Sequence, residues 1–143
     1  MRTPTKVDNW LKYIQKLIYP SRCLLCGAPG EEGHDLCAAC LLDLPHNPVA
    51  CRLCALPLTE HEDGLCGACL KHPPPIDSSI IPFRYASPLD QLLLGLKFNR
   101  QLINARLLGK LMADAIAGRS DSLPDAILPV PLHRERMQER GFN

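Results

Sequence analysis

Eight cysteines are the residues of this 143-residue chain whose types and spacing could do chemistry. They form four C-x₂-C pairs, separated by 10, 10 and 11 residues: Cys23/Cys26, Cys37/Cys40, Cys51/Cys54 and Cys66/Cys69. A C-x₂-C turn directs both sulfurs toward one point, and two such turns complete the tetrahedral shell that Zn²⁺ accepts from thiolates. The four pairs therefore predict two zinc sites. Because four thiolates leave no open position for water, both sites are predicted to be structural.

The loop lengths predict which pairs share a metal. Joining the first pair to the second and the third to the fourth closes loops of only 10 and 11 residues. Interleaved pairing would close longer loops and lose more chain entropy, so sequential pairing is favoured. A disulfide framework and an iron–sulfur cluster are the alternatives for this cysteine set. Four histidines lie nearby and are interpreted as solvated loop residues: His34, His46, His61 and His72.

Charge and hydropathy predict a cytoplasmic chain with no general affinity for polyanions. Lysine and arginine number 16 against 15 acidic residues, so any nucleic-acid partner would have to be engaged locally. Polar residues interrupt the apolar N-terminus, unlike a signal peptide, and no apolar run approaches the roughly 20 residues of a membrane span. A reducing compartment also favours metal binding over disulfides.

The predicted organisation has four parts, three of which precede a C-terminal domain over residues 80–143. Residues 1–20 contain an amphipathic helix over 6–19 that ends at Pro20. Residues 21–71 form the double zinc ribbon, which has too few large apolar side chains for a conventional core and therefore needs its metals. Residues 72–79 include three consecutive prolines and are interpreted as a stiff linker.

Residues 80–143 show the order of elements of an α/β domain. A strand is predicted over 80–85, irregular or at a sheet edge because of Pro82. Ser87-Pro88 predicts the start of a helix, and a second helix runs from Leu102 to a C-cap at Gly118. A short, buried strand is predicted over 126–130. One strand cannot cover two apolar helices, so this domain is expected to be incomplete.

Several motifs, in the same order along the chain, resemble the ComF family. They are P-S-R-C-L-L-C-G over 20–27, the later cysteine pairs, L-K-F over 96–98, and I-L-P-V-P-L-H-R-E-R-M-Q-E-R-G-F-N over 127–143. Members of that family are competence-associated proteins that join an N-terminal zinc ribbon to a phosphoribosyltransferase domain. The resemblance spans essentially the whole chain. It implies a type I phosphoribosyltransferase-like fold for residues 80–143, with Mg²⁺ and phosphoribosyl pyrophosphate as ligands of a full-length protein.

The last motif holds the candidate substrate-binding residues, on the pyrophosphate side: Leu132, His133, Arg134, Arg136 and Arg140. The resemblance implies that the first three line the loop that holds pyrophosphate. Independently, the last four place cationic or cationisable groups just after a predicted strand, where α/β sheets bind ligands, and guanidinium groups suit phosphate oxygens. The alternative is an ordinary solvated basic helix start, with Glu135 and Glu139 neutralising part of the charge.

The resemblance also implies a function. The family's ribose-phosphate loop, two acidic residues followed by small hydroxyl residues and glycine, does not occur before Asn143. We therefore expect the N-terminal portion of a ComF-like protein, truncated and inactive in phosphoribosyl transfer by itself. Its expected role is in DNA uptake during competence or in use of DNA as a nutrient, with DNA-uptake or DNA-processing proteins as partners.

Two alternatives to this function stay open. One is a stand-alone zinc-ribbon adaptor that binds a protein or a nucleic acid. Protein contact is favoured for it, because residues 23–70 contain no aromatic side chain on which a base could stack. The other is an enzyme whose missing half is supplied by another chain.

Overall fold

The computed structural model describes residues 10, 14, 20–31, 35–59, 64–118 and 124–143. The chain divides into two compact units, Met1–Leu44 and Pro45–Asn143. Trp10 and Ile14 are helical, and the rest of the helix predicted over 6–19 lies outside the described residues. The described helices are α1 (Ala38–Leu42), α2 (Gly67–Lys71), α3 (Leu89–Asn99), α4 (Leu102–Ala117) and α5 (Arg134–Arg140). None of the helices in these ranges is long and apolar enough to cross a bilayer.

The first ribbon, in the first unit, pairs a tight turn with a short helix. The Cys23 N–H donates to the Ala28 carbonyl, and the Gly27 N–H donates back to the Cys23 carbonyl, both at 2.8 Å. Gly27 has a φ of +76°, a left-handed conformation that glycine adopts without steric cost. Cys37 is the N-cap of α1, so its first turn carries Cys40. The turn and the helix therefore each present one cysteine pair.

The second ribbon repeats this arrangement 28 residues later, counted from Cys23 to Cys51. The Cys51 N–H donates to the Leu56 carbonyl at 2.8 Å, and the Ala55 N–H donates to the Cys51 carbonyl at 2.7 Å. Ala55 occupies the position of the first ribbon's left-handed glycine and has a φ of +57°. Cys66 is the N-cap of α2, and its sulfur accepts the Cys69 N–H at 3.5 Å. The two ribbons are thus structural repeats.

The described residues contain isolated β-bridges but no strand, which corrects two sequence predictions. The strand predicted over 80–85 is reduced to one bridge between Phe83 and His46. Pro82 has no N–H with which to extend a ladder there. The strand predicted over 126–130 was expected to be buried, yet Ile127, Leu128 and Val130 are 87%, 89% and 88% exposed. No described segment pairs with its backbone as a neighbouring strand would.

Helices α3 and α4 form a hairpin whose apolar faces pack on each other. Leu89 and Leu92 of α3 and Leu107 and Leu111 of α4 are buried. The Ser87-Pro88 motif predicted α3, helical spacing of apolar residues from Leu102 predicted α4, and Gly118 is the C-cap of α4 as expected. The predicted start of α3 at Ser87-Pro88 is slightly early, because Pro88 takes the N-cap position and the helix begins at Leu89.

A buried hydrogen bond from Asn104 joins α4 to α3 within this hairpin. Asn104 is 3% exposed and donates from Nδ2 to the Leu92 carbonyl at 2.9 Å and to Gln101 Oε1 at 3.2 Å. Gly95 lies directly against these two amides. A side chain at Gly95 would therefore displace the group that satisfies the Leu92 carbonyl.

Replacing Gly95 by alanine is expected to destabilise the hairpin. The new Cβ would collide with Gln101 Oε1 and lie 2.8 Å from Asn104 Nδ2. We expect the free energy of unfolding to fall by about 1–2 kcal/mol, even after the better helix propensity of alanine is included. Urea denaturation of the zinc-loaded chain, followed by circular dichroism, measures this.

Gly109 supplies the matched control, because it is also helical and nothing lies within 4 Å of its ideal Cβ position. Gly109→Ala is expected to stabilise the hairpin by up to about 1 kcal/mol through helix propensity alone. Equal effects of Gly95→Ala and Gly109→Ala would contradict the proposed role of the Asn104 contact.

Candidate metal centres

The structure groups the eight cysteines sequentially into two clusters. Within each cluster all four sulfurs lie within 4.8 Å of one another: Cys23, Cys26, Cys37 and Cys40 in the first, and Cys51, Cys54, Cys66 and Cys69 in the second. The Cys26 and Cys37 sulfurs are 3.6 Å apart, and the Cys54 and Cys66 sulfurs are 3.7 Å apart. Tetrahedral coordination with Zn–S bonds of about 2.3 Å requires sulfur separations of about 3.8 Å. Both clusters therefore fit a structural zinc ion.

Backbone N–H groups favour one thiolate in each cluster. Those of Cys54 and Cys66 lower the pKa of Cys51 to about 6. Burial acts to raise the pKa of Cys23, but the N–H groups of Cys37, Cys26 and Leu25 outweigh it and lower that pKa to about 6 as well. These amides point at the positions where negative charge must be held.

The neighbouring thiols oppose further ionisation. Burial, together with the thiols of Cys54 and Cys66, raises the pKa of Cys69 to about 12. The thiols of Cys26 and Cys37 raise the pKa of Cys40 in the first cluster. Four close thiolates repel one another, so a divalent cation is required to hold all four deprotonated.

The two clusters differ in how deeply they are buried. In the second, Cys51, Cys66 and Cys69 are all buried, and three leucines pack against them: Leu53, Leu58 and Leu65. In the first, Cys23 is buried, Cys37 and Cys40 are half-buried, and Cys26 is exposed. Cys54 of the second cluster is exposed, as Cys26 is in the first. The second cluster is nevertheless the more deeply buried, with three buried cysteines against one.

The nearby histidines that the structure describes stand outside both clusters. His46 contacts Phe83, with ring centroids 5.0 Å apart, and His72 is exposed at the end of α2. His34 and His61 lie outside the described residues. The cysteine sulfurs alone supply four possible ligands for each metal.

The candidate pyrophosphate-binding residues lie around the start of α5. His133 precedes the helix, with Nδ1 3.7 Å from Glu135 Oε2, and Arg136 Nη1 lies 3.2 Å from Glu139 Oε2. Arg134 and Arg140 are the first and last residues of α5, and the Leu132 N–H donates to Asn143 Oδ1 at 2.7 Å. The two glutamates do pair with part of the basic set, as the alternative of a solvated helix start expects. Phosphate binding here stays a prediction.

Two polar residues that support the second cluster were not predicted from the sequence. Asn47 Nδ2 donates to the Ala55 carbonyl at 3.0 Å. The Ser79 N–H donates to the Arg52 carbonyl at 2.8 Å, and its hydroxyl donates to the Leu53 carbonyl. Ser79 lies in the segment interpreted as a linker, and nothing in its local sequence indicates a contact 26 residues away.

Acid is expected to weaken zinc binding, because thiolates and not thiols are the ligands. Above about pH 6 the thiols of Cys23 and Cys51, with pKa values of about 6, each supply a thiolate without releasing a proton. Below that pH, each site must release one more proton to bind zinc. The slope of log affinity against pH should therefore increase by about one per site below about pH 6. Chelator competition between about pH 5 and 8 measures it, and an unchanged slope would contradict these assignments.

Comparison with known proteins agrees with this geometry. Residues 14–70 match the family model described as "Double zinc ribbon domain". The chain is 36% identical over 132 residues to "DNA utilization protein YhgH" of Escherichia coli (strain K12), covering 89% of this chain and 58% of that protein. The Shigella flexneri protein of the same name shows the same identity and coverage. The chain is 34% identical over 127 residues to "Competence protein F" of Haemophilus influenzae, covering 85% of this chain and 55% of that protein.

The chain thus spans somewhat more than half the length of the curated relatives it matches, 58% and 55% for the two names. No solved structure matches it significantly. The cysteine spacing, the two clusters and these relatives point to one family. Residues 14–70 match the double zinc ribbon family, and the homology to DNA utilization protein YhgH and Competence protein F confirms the resemblance of the chain to the ComF family.

Proposed function

We propose that the eight cysteines hold two structural Zn²⁺ ions, one in each cluster. The observation that carries this proposal is the grouping of four sulfurs within 4.8 Å of one another, twice, with no other ligand type in either group of the described residues. Each bound zinc would cross-link a turn to a short helix and would offset the charge of four thiolates. A closed four-sulfur shell leaves no coordination position for a substrate, so the metals serve folding.

The chain is proposed to be the zinc-binding portion of a ComF-like, phosphoribosyltransferase-related protein that acts in the cytoplasm in DNA uptake or DNA utilisation. Support comes from similarity along 89% of the chain to proteins named for DNA utilisation, and along 85% to one named for competence. The order of the motifs, from the ribbons to the P-V-P-L-H segment, supports the same proposal. The proposed function does not include phosphoribosyl transfer by this chain alone.

Residues 80–143 are proposed to contribute to a phosphoribosyltransferase-like domain. Segment 126–130 exposes three large apolar side chains, those of Ile127, Leu128 and Val130, and apolar runs of this kind are typical of strands that are buried in a sheet. The exposed Arg134 follows it at the start of α5. In a complete domain the pyrophosphate group of phosphoribosyl pyrophosphate, with Mg²⁺, would face this helix start, as the family resemblance implies.

A groove beside the second ribbon favours an adaptor role as the second candidate function. It has a volume of about 430 Å³ and is lined mainly by apolar groups, among them Leu56, Ile81 and Tyr85. These three side chains are 53%, 48% and 66% exposed. Phe83 and Tyr85 lie outside residues 23–70, so the second ribbon has aromatic neighbours that its own sequence lacks. A protein segment or a nucleobase would find apolar and aromatic surface there.

Metal analysis tests the zinc proposal directly. The wild-type chain should contain two zinc ions, and Cys26→Ser and Cys54→Ser should each contain one, because each variant removes one ligand from a different cluster. Elemental analysis of purified protein, with thiol titration before and after chelation, measures this. His46→Ala and His72→Ala are the controls and should keep both metals. Iron, disulfides, or zinc lost from a histidine variant would each contradict the ligand assignment.

The biological role calls for a genetic test in the organism that encodes the chain. Replacing the gene by its Cys54→Ser version should impair growth on DNA as the carbon source or transformation by added DNA. The same replacement with His72→Ala should leave both intact. Unimpaired growth on DNA and unimpaired transformation after complete deletion of the gene would refute a role in DNA uptake or utilisation.

A further inference from the structure

Residues 78–84, called here the return segment, run back along the second ribbon. Near its start, the Ser79 N–H donates to the Arg52 carbonyl at 2.8 Å, and the Ser79 hydroxyl donates to the Leu53 carbonyl. Arg52 and Leu53 are the two residues between Cys51 and Cys54. Both carbonyls therefore belong to the turn that presents a cysteine pair to the metal.

The other end of the return segment is held by the residues that lead into the ribbon. The Asn47 N–H donates to the Pro82 carbonyl at 2.9 Å, and the Arg84 N–H donates to the Pro45 carbonyl at 2.8 Å. The Asn47 side chain donates to the Ile81 carbonyl at 3.3 Å as well as to Ala55. Hydrogen bonds thus hold the return segment at both ends, to the second ribbon or to the residues that lead into it. The segment ends at Arg84, shortly before α3 begins at Leu89.

The first ribbon offers an internal comparison, because its turn has the same backbone bonds. Leu24 and Leu25 correspond to Arg52 and Leu53, and the Leu24 N–H donates to the Asp35 carbonyl at 2.9 Å as the Arg52 N–H does to Gly64 at 3.0 Å. Within the described residues, however, no donor reaches the carbonyl of Leu24 or Leu25. Among the described residues, a hydrogen bond from a later segment to these two turn carbonyls is therefore found in the second ribbon alone.

We propose that the second metal centre organises the return segment and that Ser79 is the positioning residue that couples them, whereas the first centre has no such influence. The proposal rests on the proposed zinc binding. Cysteines coordinated at both ends of the turn fix the directions of the Arg52 and Leu53 carbonyls, which accept from Ser79. Without the metal the turn is free, these acceptors are lost, and the connection to α3 loosens. Coupling of this kind is reciprocal, so Ser79 must also strengthen metal binding.

The reciprocal effect gives the first test. Each cluster is studied alone, in the Cys26→Ser background, which keeps the second centre, and in the Cys54→Ser background, which keeps the first. Zinc affinity is measured by competition with a chromophoric chelator. Ser79→Ala should weaken zinc binding about fivefold in the Cys26→Ser background, through loss of one hydrogen bond, and should have no effect in the Cys54→Ser background.

Ser78→Ala is the matched control, since Ser78 is an exposed neighbour that makes no hydrogen bond within the described residues. It should leave zinc affinity unchanged in both backgrounds. An equal effect of Ser79→Ala in the two backgrounds, or no effect in either, would overturn the coupling.

Hydrogen exchange of the amides of Asn47, Ser79 and Arg84 gives the second test. All three amides donate in the contacts of the return segment. Their exchange should accelerate on the order of tenfold or more in Cys54→Ser and stay unchanged in Cys26→Ser. Retained protection in Cys54→Ser, with one zinc bound, would overturn this proposal and leave the zinc function standing. A wild-type chain without zinc would overturn both, and the metal content separates the two cases.

Discussion

Coordination of thiolates by a metal is the interaction on which both ribbons depend. Segments as short as the two ribbons bury too little apolar surface to fold through the hydrophobic effect alone. Apart from the cysteines, the buried residues described within the ribbons are few: Leu36, Leu44 and Ala55. The sulfurs therefore occupy the place of a hydrophobic core. Since four close thiols resist ionisation, folding and metal binding must occur together.

The two ribbons share one backbone pattern but differ in the residues that surround it. Their turns and helices have matching hydrogen bonds, and the same pattern places Gly27 and Ala55 at equivalent left-handed positions. Alanine tolerates that conformation in the second ribbon because hydrogen bonds and packing on both sides determine it. That ribbon is also the more deeply buried, and it shares a compact unit with the helical hairpin. The same motif thus forms a separate module in one case and part of a larger unit in the other.

The features that could be predicted from the sequence are those set by local spacing. The C-x₂-C pairs and their short loops predicted two clusters with sequential grouping. The Ser87-Pro88 start motif predicted α3, and helical spacing of apolar residues predicted α4. The strands could not be predicted correctly, because a strand requires a partner and apolar composition at Ile127 and Leu128 does not supply one. Contacts of Ser79 with Leu53 depend on chain segments that meet only in the folded protein. The candidate site was therefore more predictable than the elements that surround it.

Each cluster is proposed to bind zinc through four sulfurs and nothing else, so that the ribbons are scaffolds and not catalytic centres. X-ray absorption at the zinc edge of the purified wild-type chain tests this most directly. We expect a single shell of four sulfurs at about 2.3 Å, averaged over both metals. A shell containing nitrogen or oxygen ligands at about 2.0–2.1 Å would contradict the account, because it would place a histidine or a water in at least one site.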